Sequence, residues 1–364
     1  MKNKYKKFKK IFKMTSLDLS NKNITQLQSL DDDIHFLNLS FNKNINIVKL
    51  PPQVSSLYLT ACNLTQFDFL ENLAHLKQLN IDFNTCSNMK IAKKIEILSM
   101  KYCDIKYLNL VAFNKLLNLD ISFNLNMTIS KLPASISWLN ISHCKIKNFD
   151  FLTNLHNLKI LILNYNYIPI FMENDYLEKE PMDTTEYNNY SINLDTRLNN
   201  VHYFNKLTSL NKLVLDNNNI SILPELPSTI TILSLHTCNL KNTSNINKLK
   251  NLKCLNLINN LNIEISNLPS SIIELYLNNC NLTNLQFLKF LLNLKVLHLN
   301  FNYFALDDFP NNITILHMQS CNLQKIMFLY KLLKLQYIDI SNNPIPRTDI
   351  INLINYKGSC EIIV

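Results

Sequence analysis

Apolar and polar positions follow one phrase that this chain writes fifteen times between Met14 and Ile345. An apolar residue is followed by others three, five and ten positions on, with Asn or Cys eight positions on. Val54-Ser-Ser-Leu57-Tyr-Leu59-Thr-Ala-Cys62-Asn-Leu64 is a clear copy, as are those opening at Leu158 and Ile272. The i, i+2 spacing of the central pair predicts a short strand with both side chains on one face. The copies open at Met14, Ile34, Val54, Leu76, Ile95, Leu116, Ile136, Leu158, Leu210, Ile230, Leu252, Ile272, Leu294, Ile313 and Leu335, in steps of 19 to 22 residues apart from one of 52. A unit this short hides its apolar edge only against a stacked neighbour, so the chain is expected to form a solenoid. About five buried apolar side chains per copy, at roughly 1.5–3 kcal/mol each, then dominate its stability.

The place eight residues on holds Asn42, Asn84, Asn124, Asn166, Asn218, Asn260, Asn302 and Asn343 in eight copies, and Cys62, Cys103, Cys144, Cys238, Cys280 and Cys321 in six; only the first copy departs, with Lys22. The chain turns out of the strand there and leaves inward backbone groups in need of a small hydrogen-bonding partner. An Asn amide serves donors and acceptors together, and a buried Cys is a small apolar group with a weak S–H donor. The two are therefore expected to form one internal column. Because they alternate, successive column thiols fall about 9–10 Å apart at ordinary strand spacing, too far to bridge. Cys86, Cys254 and Cys360 read as isolated, so all nine cysteines are expected as free thiols, which suits a reducing, cytoplasmic compartment. No apolar signal core or long apolar run stands against that.

These copies resemble the leucine-rich repeat, and in two versions. Cys copies run on into segments such as Phe67-Asp-Phe69-Leu70-Glu-Asn-Leu73 and Phe149-Asp-Phe151-Leu152-Thr-Asn-Leu155, which resemble the 22-residue repeats of phosphatase-regulating and internalin-like proteins. Asn copies more often end in Leu50-Pro51, Leu132-Pro133, Leu226-Pro227, Leu268-Pro269 or Phe309-Pro310, similar to the 20-residue repeat of bacterial effector-like proteins. Proline lacks the N–H a helix interior needs, so extended outer segments are expected after Asn copies and helical or 3₁₀ turns after Cys copies. The resemblance implies an α/β fold, a right-handed solenoid or horseshoe with a parallel concave sheet.

The alternation exposes a degenerate Cys-type copy between Leu158 and Leu210, read from Ser191 through Phe204 and Leu207, which leaves an acidic insertion at 171–189. Residues 1–13 read as a basic tail or cap, 14–345 as about sixteen repeats, and 346–364 as a C-terminal cap. In that cap Thr348-Asp349 starts a helix that stops at Gly358, the chain's single glycine, before a last strand. Two capped ends predict a complete domain with no appended catalytic unit.

Net charge is +9, but seven lysines and no acid lie in the first fourteen residues, leaving the remainder near balance at +2. A nucleic-acid-binding solenoid is therefore not expected. Tyr5, Phe8, Ile11 and Phe12 recur at near-helical spacing, so the tail is read first as a cap, with membrane-surface attachment or nuclear import as the alternatives. Strand residues expected to project from the concave face include Asp18, Tyr58, Asp82, Asp120, Trp138, Tyr276, His298, His317 and Asp339. Phe41, Phe83, Tyr102, Phe123, Tyr165 and Phe301, each just before the column position, form an aromatic line. It is read either as a partner contact or as rings stacked on one another to stiffen the coil. His298 and His317 occupy equivalent sites without an obvious third ligand, so no metal or other cofactor is expected. One glycine allows no glycine-rich phosphate loop, and no catalytic triad or paired-carboxylate motif stands out. The expected function is a monomeric, non-enzymatic protein-binding scaffold or regulatory subunit, with a peripheral membrane adaptor docked by residues 1–14 as the alternative.

Overall fold

The computed structural model describes residues 15–86, 93–166, 201–305 and 309–364. The basic tail at 1–13, the acidic insertion at 171–189 and the start of the degenerate copy lie outside them. The described residues divide into two compact units, those of 15–166 with 206–210 and those of 201–205 with 211–364.

In the first unit the strands are β1 (Ser16–Asp18), β2 (Phe36–Asn38), β3 (Ser56–Tyr58), β4 (Gln78–Asn80), β5 (Ile97–Ser99), β6 (Tyr107–Asn109), β7 (Asn118–Asp120), β8 (Thr128–Lys131), β9 (Trp138–Asn140) and β10 (Ile160–Ile162). Eight of them, all but β6 and β8, form a parallel run in chain order, one strand per copy. The second unit carries β11 (Lys212–Val214), β12 (Ile232–Ser234), β13 (Cys254–Asn256), β14 (Glu274–Tyr276), β15 (Val296–His298), β16 (Ile315–His317), β17 (Tyr337–Asp339) and β18 (Glu361–Ile363), again parallel and in order. The central residues of successive strands pair, as Leu57 does with Leu37 and Leu79. Those three leucines, and Leu39, Leu59 and Ile81 two places on, are wholly buried.

The column forms, and its two residue types bond differently. Asn124 Oδ1 accepts from the N–H groups of Cys103 and Ile105 at 2.9 and 3.1 Å, and its Nδ2 donates to the carbonyls of Met100 and Ile121 at 2.9 and 2.8 Å. The same four bonds recur at Asn42 and Asn260. A thiol accepts no such pair. Cys144 only donates Sγ–H to the Ile121 carbonyl at 3.2 Å, and it is the main-chain carbonyl of Cys144 that accepts the N–H of Asn126 at 2.9 Å. Asn44 to Cys62 and Asn262 to Cys280 repeat that backbone bond. Alternate joints are thus closed by a side-chain amide and by the main chain.

The outer segments follow the same alternation. Cys copies at 62, 144, 238, 280 and 321 run into 3₁₀ turns at Asp68–Asn72, Asp150–Asn154, Ile246–Lys248, Gln286–Phe290 and Met327–Lys331. A 3₁₀ turn advances about 2 Å per residue against about 3.3 Å when extended, so it needs more residues for a similar span; most Cys copies are 22 long and most Asn copies 20. Each proline ending supplies a carbonyl for the N–H that opens the next copy, as Pro51 does for Val54 at 3.2 Å. The copy at Cys103 corrects the expectation. It lacks the Phe-x-Phe-Leu segment, and its outer stretch is strand β6, paired with β8. Cys86 is a second correction: it is not isolated but lies against Cys103, donating its N–H to the Cys103 carbonyl at 3.0 Å, and the neighbouring thiol and burial both push its own thiol pKa up.

Helix α1 spans Val201–Asn205, with Phe204 buried, and α2 spans Arg347–Lys357. Helix α2 ends at Gly358, whose φ of +48° lies in the left-handed region that a Cβ disfavours, and β18 then pairs with β17.

The bonding asymmetry sets a test. Asn124→Ala strands the Cys103 and Ile105 N–H groups and the Met100 carbonyl, while Ile121 keeps the Cys144 thiol; at roughly 1–3 kcal/mol for each buried group left unsatisfied, it is expected to cost at least about 3 kcal/mol. Cys144→Ala keeps the backbone bond and is expected to cost about 1 kcal/mol. Urea unfolding of the two variants measures the difference.

Candidate partner-binding site

The residue before each column position takes a left-handed backbone, with φ from 52° to 62° at Phe41, Ala61, Phe83, Tyr102, Phe123, His143 and Tyr165. Parallel in-register strands then align these side chains along the rim of the first unit. Five rings form one continuous stack. Centroids are 4.6 Å apart from Phe83 to Tyr102, 4.3 Å to Phe123, 4.2 Å to His143 and 4.1 Å to Tyr165, with interplanar angles of 12° to 21°. The stacking reading of the aromatic line holds from Phe83 to Tyr165, and Phe83, Tyr102 and Tyr165 stay 52, 46 and 40% exposed. Since faces cover faces, the stack offers solvent chiefly ring edges.

His143 belongs to this row although the sequence reading left it out. Its signal was position alone, immediately before Cys144. Burial between Phe123 and Tyr165 lowers its pKa, which favours a neutral ring. Phe41 and Phe301 occupy the same place in their repeats but stand apart from the stack. Ala61 separates Phe41 from Phe83, and Phe301 lies between Asn279 and Ser320.

A non-glycine residue in the left-handed region costs roughly 1–2 kcal/mol, and Asn tolerates it best. The second unit mostly uses that cheaper choice, at Asn217, Asn259, Asn279 and Asn342. Stacked rings contribute about 0.5–1.5 kcal/mol per pair beyond burial, so four ring contacts return only about half of what five strained positions cost. The stack brings no net stability.

The strand positions are more enclosed than the rim. Tyr58 is half-buried, accepts a hydrogen bond from Gln78 Nε2 at 2.6 Å and lies 5.4 Å from the Phe36 ring; Trp138, half-buried, pairs with Asn118 and Ile160. Asp82, expected to project, is instead buried, holding Ser99 Oγ at 2.6 Å, the Lys101 N–H at 2.8 Å and the Lys101 ammonium at 3.3 Å.

The second unit gathers Tyr276, His298, His317 and Tyr337. The two imidazoles stack at 4.0 Å, Tyr276 lies 4.7 Å from His298, and Tyr337 lies 4.9 Å from His317. Tyr276 donates to Glu274 at 3.2 Å, and burial together with that carboxylate pushes its pKa to about 12. Burial, then the charge of His317, holds His298 down to about 4, and burial lowers His317 although Asp339 lies 4.0 Å away and opposes the shift. Among the described residues no cluster of three or more His, Cys, Asp or Glu is placed to hold a metal ion, and no helix is long and apolar enough to cross a membrane.

No protein-family model matches the chain. It is 30% identical over 167 residues to an uncharacterized leucine-rich repeat-containing protein of Amsacta moorei entomopoxvirus, a match spanning 43% of this chain and 34% of the viral protein. The strand-per-copy architecture settles the fold. The chain has the leucine-rich repeat fold, and its sequence is similar to a leucine-rich repeat protein. Its fold is similar to that of TLR13 in a TLR13–ssRNA13 complex, with a TM-score of 0.67 and 21% identity, covering 89% of this chain and 49% of that one. A leucine-rich repeat protein of Leptospira interrogans gives a TM-score of 0.55 and 18% identity, covering 100% and 99%. At these identities the likeness to solved structures is one of fold. The match spans about a third of the viral relative and about half of the TLR13 chain.

The imidazole pair makes the repeat protein's stability depend on pH. With a folded pKa near 4 against about 6.5 unfolded, His298 takes up its proton in the unfolded chain first. Its contribution is therefore complete above pH 6.5 and falls away as pH drops toward 4. Urea midpoints across that window are expected to fall less steeply for His298→Gln than for the wild type.

Proposed function

We propose that this leucine-rich repeat protein is a non-enzymatic protein-binding scaffold or regulatory subunit, and that the ring stack from Phe83 to Tyr165 anchors its partner. The observation that carries this reading is a row of five parallel rings, three of them 40–52% exposed, at backbone positions where they bring little net stability. Aromatic side chains held rigidly lose little entropy on binding and are common hot spots. Ring edges carry the positive end of the quadrupole and suit carbonyls, carboxylates or the faces of a partner's rings. The nine free cysteines, seven of them buried, support a reducing cytoplasmic setting.

A second reading rests on the seven lysines of residues 1–14, a charge that suits anionic lipid and a peripheral membrane adaptor. Sedimentation with anionic liposomes tests it: salt-sensitive binding lost on deleting residues 1–14 supports docking, and no binding by the full chain ends it.

Affinity capture from producing cells, with the wild type and with Phe83→Ala, Phe123→Ala and Tyr165→Ala, tests the scaffold reading. Variants with unchanged circular dichroism are expected to lose a partner that the wild type retains. Folded variants that keep every partner would show the stack to be idle in recognition.

A further inference from the structure

Where an Asn copy meets the Cys copy after it, the residue ten places into the first donates its N–H to the main-chain carbonyl of the column Cys. Asn44 reaches Cys62 at 2.9 Å, Asn126 reaches Cys144 at 2.9 Å, Ile220 reaches Cys238 at 2.7 Å and Asn262 reaches Cys280 at 2.9 Å. The same bond runs from Cys86 to Cys103 at 3.0 Å. Asn44, Asn126 and Asn262 take a left-handed φ of 58° to 59° and are exposed. Cys86 is instead buried, as Ile220 is. This joint therefore holds two buried thiols on adjoining coils.

A main-chain hydrogen bond between adjoining coils sets the two Cα atoms roughly 5–6 Å apart. That lies inside the range of about 4.4–6.8 Å that a disulfide spans, whereas successive column thiols, two coils apart, lie outside it. The Cys103 thiol pushes the Cys86 thiol pKa up more than burial does, a sign that the two sulfur groups are close neighbours. Bridging them would leave no carbonyl without a donor. Cys103 Sγ–H donates to the carbonyls of Ile81 and Lys101 at 3.2 and 3.5 Å. With that proton gone, the Ile81 carbonyl keeps Asn84 Nδ2 at 2.9 Å and the Lys101 carbonyl keeps the Phe83 N–H at 2.8 Å.

We propose that Cys86 and Cys103 form an oxidation site, two thiols in a reducing setting that a peroxide converts to an intramolecular disulfide. Cys86 is 8% exposed and Cys103 wholly buried, so Cys86 meets the oxidant first. Its sulfur gives up a proton and attacks one peroxide oxygen; the O–O bond breaks, a sulfenic acid forms, and the departing hydroxide takes the proton as water. The Cys103 sulfur then displaces the sulfenic hydroxyl, which leaves with the Cys103 proton as a second water. Two sulfurs have lost two electrons in all, and the peroxide has gained them. Burial disfavours the thiolate that starts the reaction, so closure is slow.

The test treats the reduced, native full chain with hydrogen peroxide, blocks the remaining thiols with iodoacetamide in urea and digests with trypsin. Cleavage after lysine leaves Cys86 in residues 78–90 and Cys103 in residues 102–106. The disulfide then shows as these two peptides joined, lighter than their sum by two hydrogens, and it disappears on treatment with a phosphine. This link is expected to dominate, with Cys62, Cys144 and Cys280 recovered alkylated. Cys86→Ser is expected to abolish it and to leave Cys103 alkylated as well. The wild-type digest decides the matter even if Cys86→Ser fails to fold. Recovery of Cys86 and Cys103 as separate peptides overturns the proposal, whether they are alkylated or carried on to sulfinic acid. So does a set of links no different from that formed when the chain is oxidised in urea, since native geometry would then have selected nothing.

Discussion

Each coil of this protein must satisfy the N–H and C=O groups left inside where the chain leaves its strand, and everything else in the repeat is arranged around that demand. A buried unmet backbone group costs about 1–3 kcal/mol, and the geometry recurs at every copy. Asn meets the demand with four bonds from one side chain. Cys meets only part of it, and the main-chain carbonyl at the same residue supplies the rest. Once two joints of different geometry alternate, the outer segments can alternate as well. A pair of coils becomes the repeating object, with 3₁₀ turns following most thiols and proline-closed extended segments following many of the amides.

The aromatic row inherits its order from that same constraint. Because the column residue is fixed in place, the residue before it is fixed in a left-handed turn, and its side chain repeats at the spacing of parallel strands. A row of rings at that place stacks without further design, since strand spacing of about 4.8 Å is close to offset ring-stacking distance. The second unit shows what the row becomes without rings. There Asn279 donates to Asn259 at 3.0 Å, and Asn259 reaches Thr237 at 3.4 Å. One backbone device thus yields an aromatic rim in one unit and a mostly amide rim in the other.

The repeating frame was legible in the sequence because a period enforced by hydrogen bonds has few acceptable residues at each place. Copy starts, the column and the strand positions all follow from that scarcity. Features that escaped notice lie where a residue is judged by its neighbours in space. His143 was left out although its position matched that of Tyr102 and Tyr165, and only the stacking distances join it to the row. Cys86 was read as isolated because it sits two places past Asn84, yet the parallel stacking of coils brings it beside Cys103. The outer strand at Tyr107–Asn109 was hidden by the rule that thiol copies turn helically, a rule that needs the buried Phe pair this copy lacks. The aromatic line named six of the places before the column; strand register shows which of them touch, with Ala61 standing between Phe41 and Phe83.

That interruption separates the places the fold fixes from those it leaves free to vary. Ala at position 61 adopts φ of 55° as the aromatic positions do, so the backbone gains nothing there that Phe would forfeit. Asn would relieve the strain more cheaply, and Phe would extend the stack by two further contacts, at about 0.5–1.5 kcal/mol each. Neither backbone preference nor stacking therefore accounts for a small apolar residue between two half-exposed rings. The physical consequence of Ala61 is that the stack begins at Phe83, with Phe41 two coils away, about 9–10 Å at ordinary strand spacing.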